Sequence, residues 1–130
     1  MNDEERNAGL SRTPGYQYAQ VVGDQLFIAG QVPLDGSGDL VGVDEPRQQA
    51  TACLDNMRTL LGVHGFGIEH VRHITIHVVG RHEHLLRAWE AVVEWFGGEV
   101  PPATLLGAHL LGYQGQLVEI DATILRSVSD

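Results

Sequence analysis

The 130-residue chain reads as one α+β domain, a mixed sheet in the order β-β-α-β-α-β-β with both helices packed on one face. Three observations lead there. Apolar and polar residues alternate over Val71 to Val79, which is the period of a strand. Between Ala50 and Leu61, and again between Leu85 and Phe96, apolar residues recur at three and four, which is the period of a helix. Glycine and proline clusters punctuate these segments, and there is neither a repeat nor a linker.

Residues 1–14 carry no apolar period and are expected to form a flexible N-terminal arm, leaving 15–130 as the domain. Tyr16 to Val22 and Leu26 to Gly30 read as two strands around a tight Gly23-Asp24 turn. The glycine-rich stretch from Pro33 to Gly42 is a loop with a short strand at Leu40-Val41. A helix then starts with Asp44 or Glu45 as its cap and Pro46 in its first turn, and the glycines at 62 and 65 stop it near residue 63. In the strand 71–79, Ile74, Ile76 and Val78 share one face, with His73, Thr75 and His77 on the other. The second helix runs from about His82 to Phe96 and ends at Gly97-Gly98. Two strands, 103–110 and 116–126, close the chain around Gly112-Tyr113-Gln114-Gly115. Two helices cover only one face of such a sheet. Tyr16, Tyr18, Phe27 and Leu105 or Leu106 must supply apolar surface to the bare face, so a homo-oligomer is expected.

Composition narrows the function classes. A chain of this length buries roughly two-thirds of its unfolded surface and needs neither disulfides nor a structural metal to fold. With 43% apolar and 19% charged residues it is globular in type. No apolar run is long enough for a membrane span, and the polar, acidic start is unlike a signal peptide. The single cysteine, Cys53, suits a reducing compartment, and a cytoplasmic location is expected. Net charge is −9, and all eight basic residues are arginines scattered from Arg6 to Arg126. A nucleic-acid partner is disfavoured, because phosphate neutralisation needs a basic patch.

The chemistry-bearing residues admit plain readings. His73 and His77 lie about 13 Å apart along a strand, too far to share one ion, so the seven histidines are read as solvated or interface groups and no metal site or cofactor is expected. Cys53, on the apolar stripe of the first helix, is a core residue without a neighbouring cation to activate it. Asp35-Gly36-Ser37-Gly38 does not lead into a helix N-terminus and is an ordinary hairpin connection rather than a phosphate cradle.

Particular residues then add a resemblance. Gly15-Tyr16, Val22-Gly23-Asp24, Ala29-Gly30-Gln31-Val32-Pro33, Gln49-Ala50, Trp95-Phe96-Gly97, Pro101-Pro102-Ala103 and Val118-Glu119-Ile120-Asp121-Ala122 stand in the order and spacing of the Rid family. These are the reactive intermediate deaminases, or YjgF-type proteins, also labelled endoribonuclease L-PSP. The chain resembles that family over most of its length. The resemblance implies a chorismate-mutase-like trimer with small-molecule clefts between subunits. It also implies that an arginine after a Pro-Ala pair clamps a substrate carboxylate while Glu119 positions water to hydrolyse an imine or enamine. Tyr16, Ala29, Gly30, Trp89, Ala103, Thr104 and His109 are the implied binding residues and Glu119 the implied catalytic one.

The chain departs from the pattern where the arginine belongs. Anchoring on Pro102-Ala103 puts Thr104 there, anchoring on the following residues puts Ala103 there, and no arginine occurs between Arg87 and Arg126. Ala29 replaces a usual serine, and Trp89 stands where an asparagine is common. A cleft without its cation has lost its main grip on a free carboxylate. Three functions stay open: a hydrolase of C–N bonds acting on a substrate of another class, a non-catalytic ligand-binding or regulatory trimer, and, less favoured, an endoribonuclease or translation inhibitor.

Overall fold

In the computed structural model, which describes residues 1–126, an 18-residue helix with a continuous apolar face forms the centre of the packing. This helix, α2 (Pro46–Val63), buries Ala50, Cys53, Leu54, Met57, Leu60 and Leu61, the residues recurring at three and four. Pro46 occupies its first turn, as expected. Neither acidic candidate caps it, however: Glu45 makes no side-chain cap bond, and Asp44 is turned into the left-handed region at φ 59°. The third helix, α3 (His82–Trp95), is shorter and packs beside α2 through Ala88, Ala91 and Val92.

Five strands make one sheet: β1 (Ala19–Val22), β2 (Gln25–Ile28), β3 (Val71–Val79), β4 (Ala103–Ala108) and β5 (Val118–Leu125), in the spatial order β1-β2-β5-β3-β4. All neighbours are antiparallel except β3 and β4, whose connection passes through α3. The predicted α+β element order and the two helices on one face are thus present. Gly23 takes φ 60° at the first position of the two-residue β1–β2 turn, a conformation that a side chain would strain. Leu40 makes only an isolated bridge to Leu34, and between them Asp35 Oδ1 accepts the amides of Ser37 and Asp39. That loop spends its N–H groups on itself, as an ordinary hairpin does.

Register decides which side chains meet. Ile74, Ile76 and Val78 of β3 and Val118, Ile120 and Ile124 of β5 turn toward the helices and are buried. Their neighbours His73, Thr75, His77, Glu119 and Asp121 share the opposite, uncovered face. Phe27, Val22 and Leu106 supply apolar surface there. Leu105 pairs with Ile76 and so belongs to the helix side, although it is half exposed on the edge strand.

Two expectations about the N-terminus give way. Where a flexible arm was expected, Asp3–Asn7 form a short helix, α1, with a capping box between Asn2 and Glu5. The Glu5 carboxylate is buried and meets His64 Nε2, just past the end of α2, at 2.8 Å. Leu10 and Tyr18 pack on Leu60, and the Tyr18 hydroxyl donates to the Ser11 carbonyl at 2.7 Å. Tyr18 is therefore buried behind residues 1–13 instead of lying on the bare face. A long-range pairing of Glu5 with His64 outweighs the weak local pattern that had suggested a loose arm.

Candidate functional site

The start of β5 and the loop before it bring a carboxylate, a carboxamide and a phenol together with the phenol of Tyr16, from the segment before β1. Glu119 is half-buried, and its Oε1 accepts a hydrogen bond from Gln116 Nε2 at 3.2 Å. The side chain lies over Gly30, where any Cβ would run into the carboxylate. Glycine at position 30 leaves room for the carboxylate in this position, and a side chain there would displace it. Gln116 is itself buried, and its Oε1 accepts the Tyr113 amide at 3.1 Å, which ties the loop to the carboxylate. The Tyr113 and Tyr16 hydroxyls lie 3.2 Å apart. Burial first, and then this contact, push the Tyr16 phenol well above its ordinary range, with the Glu119 carboxylate adding to the effect. Tyr16 is held as a neutral hydroxyl beside an acidic group.

Tyr113 and Gln116 also line a pocket of about 420 Å³ with Val79, Leu110 and Leu117. That volume is at the small end of ligand sites. Glu119 and Tyr16 do not line this pocket and reach it through Gln116 and Tyr113; the carboxylate can orient or deprotonate water, and the hydroxyls can hydrogen-bond a polar ligand.

The implied site residues are only partly assembled within the chain. Tyr16, Gly30 and Glu119 converge. Ala29 adjoins them through its backbone, its carbonyl accepting from Gln31 Nε2 at 2.8 Å. Register separates Ala103 from Thr104: Ala103 pairs with Ile74 on the helix side, whereas Thr104 pairs with Thr75 and its hydroxyl lies 3.3 Å from His73 Nε2. Thr104 therefore shares the face of Glu119. Trp89 packs against the core from α3, across the sheet from Glu119, and only another copy of the chain could bring it to such a site. His109 is exposed just beyond β4. Tyr113 and Gln116 were not foreseen, because the loop 112–115 has no local period and its contact with Tyr16 spans 97 positions.

The remaining candidates have structural partners. His77 meets Asp121 at 3.1 Å across the strand pair. Among the described residues no three His, Cys, Asp or Glu side chains are grouped to hold a metal. Cys53 is fully buried, and desolvation, followed by the field of Glu119, raises its thiol well above the ordinary range. Because the thiolate is the reactive form, a thiol reagent such as Ellman's should leave the folded protein unmodified at about pH 8 and modify the unfolded chain completely. Rapid reaction in the folded state would contradict the burial.

A five-stranded mixed sheet backed by two helices, with a carboxylate on its uncovered face and phenols in the adjoining loops, defines the class of scaffold, and comparison with known proteins identifies the family. Residues 9–125 match the family model described as endoribonuclease L-PSP, and the chain belongs to that family. A RutC family protein of Pyrococcus horikoshii is 26% identical over 107 residues, covering 82% of this chain and 83% of its own. The crystal structure of a Thermotoga maritima protein provisionally assigned as an endoribonuclease superposes with a TM-score of 0.76 at 26% identity, covering 88% of each chain. The Escherichia coli YjgF gene product has the same fold, with a TM-score of 0.79 at 19% identity over 94% of this chain and 95% of its own. The Rid-type resemblance in the sequence is thus matched by family, relative and fold.

Proposed function

We propose that the protein acts on the C–N bond of a small imine or enamine that lacks a carboxylate next to the reacting carbon, in clefts formed between the subunits of a homotrimer in the cytoplasm. The observation that carries this reading is Glu119, fixed by Gln116 over Gly30 beside a neutral Tyr16, on a sheet face that no arginine of the β4–β5 segment reaches. Glu119 takes a proton from water as the oxygen adds to the imine carbon. Collapse of the adduct releases ammonia and leaves a carbonyl, so that one imine and one water give one ketone and one ammonia. The phenols donate to the polar atoms of the ligand. The uncovered face, with Phe27, Val22 and Leu106 exposed, supports association.

Two measurements test the reading. Light scattering should return about 43 kDa, three times the chain mass of 14.2 kDa. A stable monomer at micromolar concentration would remove the intersubunit cleft. Carboxylate-free imines, generated in situ by a flavin amine oxidase, should decay faster with the wild type, and Glu119→Gln should lose that acceleration by about 100-fold or more. Equal decay with wild type, variant and buffer would leave the scaffold as a ligand-binding one, the alternative that a co-purified molecule in native mass spectra would establish.

RNA cleavage, the activity in the family's label, fits the surface poorly. At net charge −9, with Arg6, Arg47, Arg81 and Arg87 already paired to carboxylates, little positive surface is left for phosphates. Fluorescence anisotropy should detect no binding of single-stranded RNA at physiological salt. Degradation of RNA that disappeared in Glu119→Gln would overturn this.

A further inference from the structure

The arginines of this chain are almost all engaged. Arg6, Arg47, Arg81 and Arg87 meet carboxylates. Arg58 lies over Trp95, Arg126 lies over Phe66, and Arg72 donates to the Leu125 carbonyl. Arg12 is the remaining one, and among the described residues no hydrogen bond, ion pair or ring contact involves it.

Its backbone is nevertheless firmly placed. Ser11 and Thr13, on either side, are buried. The Ser11 carbonyl accepts from the Tyr18 hydroxyl at 2.7 Å, and Thr13 Oγ1 donates to the Tyr16 carbonyl at 2.6 Å. The side chain between these two anchors lines a second pocket of about 420 Å³, together with Thr13, Pro14, Leu34, Gly38 and Tyr113. Tyr113 also lines the pocket beside Gln116 and touches Tyr16 through its hydroxyl, so it is a wall shared by the two spaces. An exposed guanidinium without a partner, on a fixed backbone and in an open pocket with Pro14 and Leu34 in its wall, suits a planar anion that brings its own hydrocarbon.

We infer that Arg12 and the Tyr113 hydroxyl form an anion subsite, which binds a carboxylate or phosphate carried at a distance from the C–N group of the ligand. This deepens the Glu119 reading and rests on it for the other end of the ligand. Arg12 lines one pocket and Gln116 the other, with Tyr113 common to both, so a ligand that engages Arg12 and Glu119 together has to extend past Tyr113. The ligand class is an elongated organic anion whose nitrogen-bearing carbon is several bonds from the charge.

The test is a titration of the full-length protein followed by ¹⁵N NMR, with hexanoate and inorganic phosphate as separate probes. Hexanoate should shift the Arg12 side-chain Nε–H and the amides of Gly15, Gly38 and Tyr113 together and saturably. Arg12→Gln should weaken the response by about 10- to 100-fold, the loss expected when a hydrogen bond to a charged group is removed, and Arg12→Lys should restore part of it. A response to phosphate alone would identify the anion as a phosphate and support the same subsite. Equal shifts in wild type and Arg12→Gln, or no saturable response to either probe, would overturn the assignment. Glu119→Gln should leave the hexanoate response intact. A protein that binds hexanoate through Arg12 but shows no Glu119-dependent imine decay would refute the catalytic reading and keep the subsite.

Discussion

Thr104→Arg is expected to give the protein an activity that the wild type lacks, hydrolysis of 2-iminopropionate, which the unmodified chain should leave to decay at the buffer rate. Thr104 shares the uncovered face with Glu119, two strands away, through the pairings of Thr75 with both Thr104 and Asp121. Glu119 is also two residues along the strand from the level of Thr104, so the Cα separation is roughly 12 Å, which leaves room for a short acid between a long side chain and the carboxylate. A bidentate guanidinium in a partly dry site contributes roughly 2–5 kcal/mol, about 30- to 4,000-fold in binding. Ala103→Arg is the control. Its side chain lies on the helix side, opposite to Glu119, at an exposed edge-strand position, so it should fold as the wild type does and give no activity. Efficient hydrolysis of 2-iminopropionate by the wild type would show that another group already grips the carboxylate.

Gln49→Leu should be the most damaging single change outside the apolar core. Gln49 is fully buried on α2, and its carboxamide works in both directions. Oε1 accepts the amides of Leu117 at 2.6 Å and Val118 at 3.3 Å, while Nε2 donates to the carbonyls of Gly42 at 3.0 Å and Gly115 at 3.2 Å. Leucine fills the space and orphans those four backbone groups at about 1–3 kcal/mol each, a total of roughly 4–12 kcal/mol if all four stay unpaired. Thermal unfolding should show a fall in Tm of well over 10 °C, by the usual scaling for a chain of this size. The same bonds hold the strand leading into Glu119, so the Gln116–Glu119 contact should loosen as well. A variant as stable as the wild type would show that water replaces the carboxamide without loss.

Much of this was legible before any coordinates. The helix periods of α2 and α3 and the alternation along β3 follow from local backbone geometry, which repeats every 3.6 or every two residues whatever the rest of the chain does. Parity along β3 likewise separated the buried Ile74, Ile76 and Val78 from His73, Thr75 and His77 on the open face. Glu119, Gly30 and Tyr16 were reachable because their surroundings resemble those of a known family.

Tertiary structure decided what local periodicity cannot carry. Whether Ala103 or Thr104 faces the site depends on the register of β4 against β3, set by the pairing of Ile74 with Ala103. The N-terminal segment is ordered by Glu5 meeting His64, a contact across 59 positions that no local pattern announces. Tyr113, Gln116 and Arg12 acquire their roles only when the loop before β5 is laid against the segment before β1. Side-chain period in the sequence specifies which face an element buries. Which distant residues then share a pocket is fixed by chain closure and strand order, and those arise only when the whole sheet assembles.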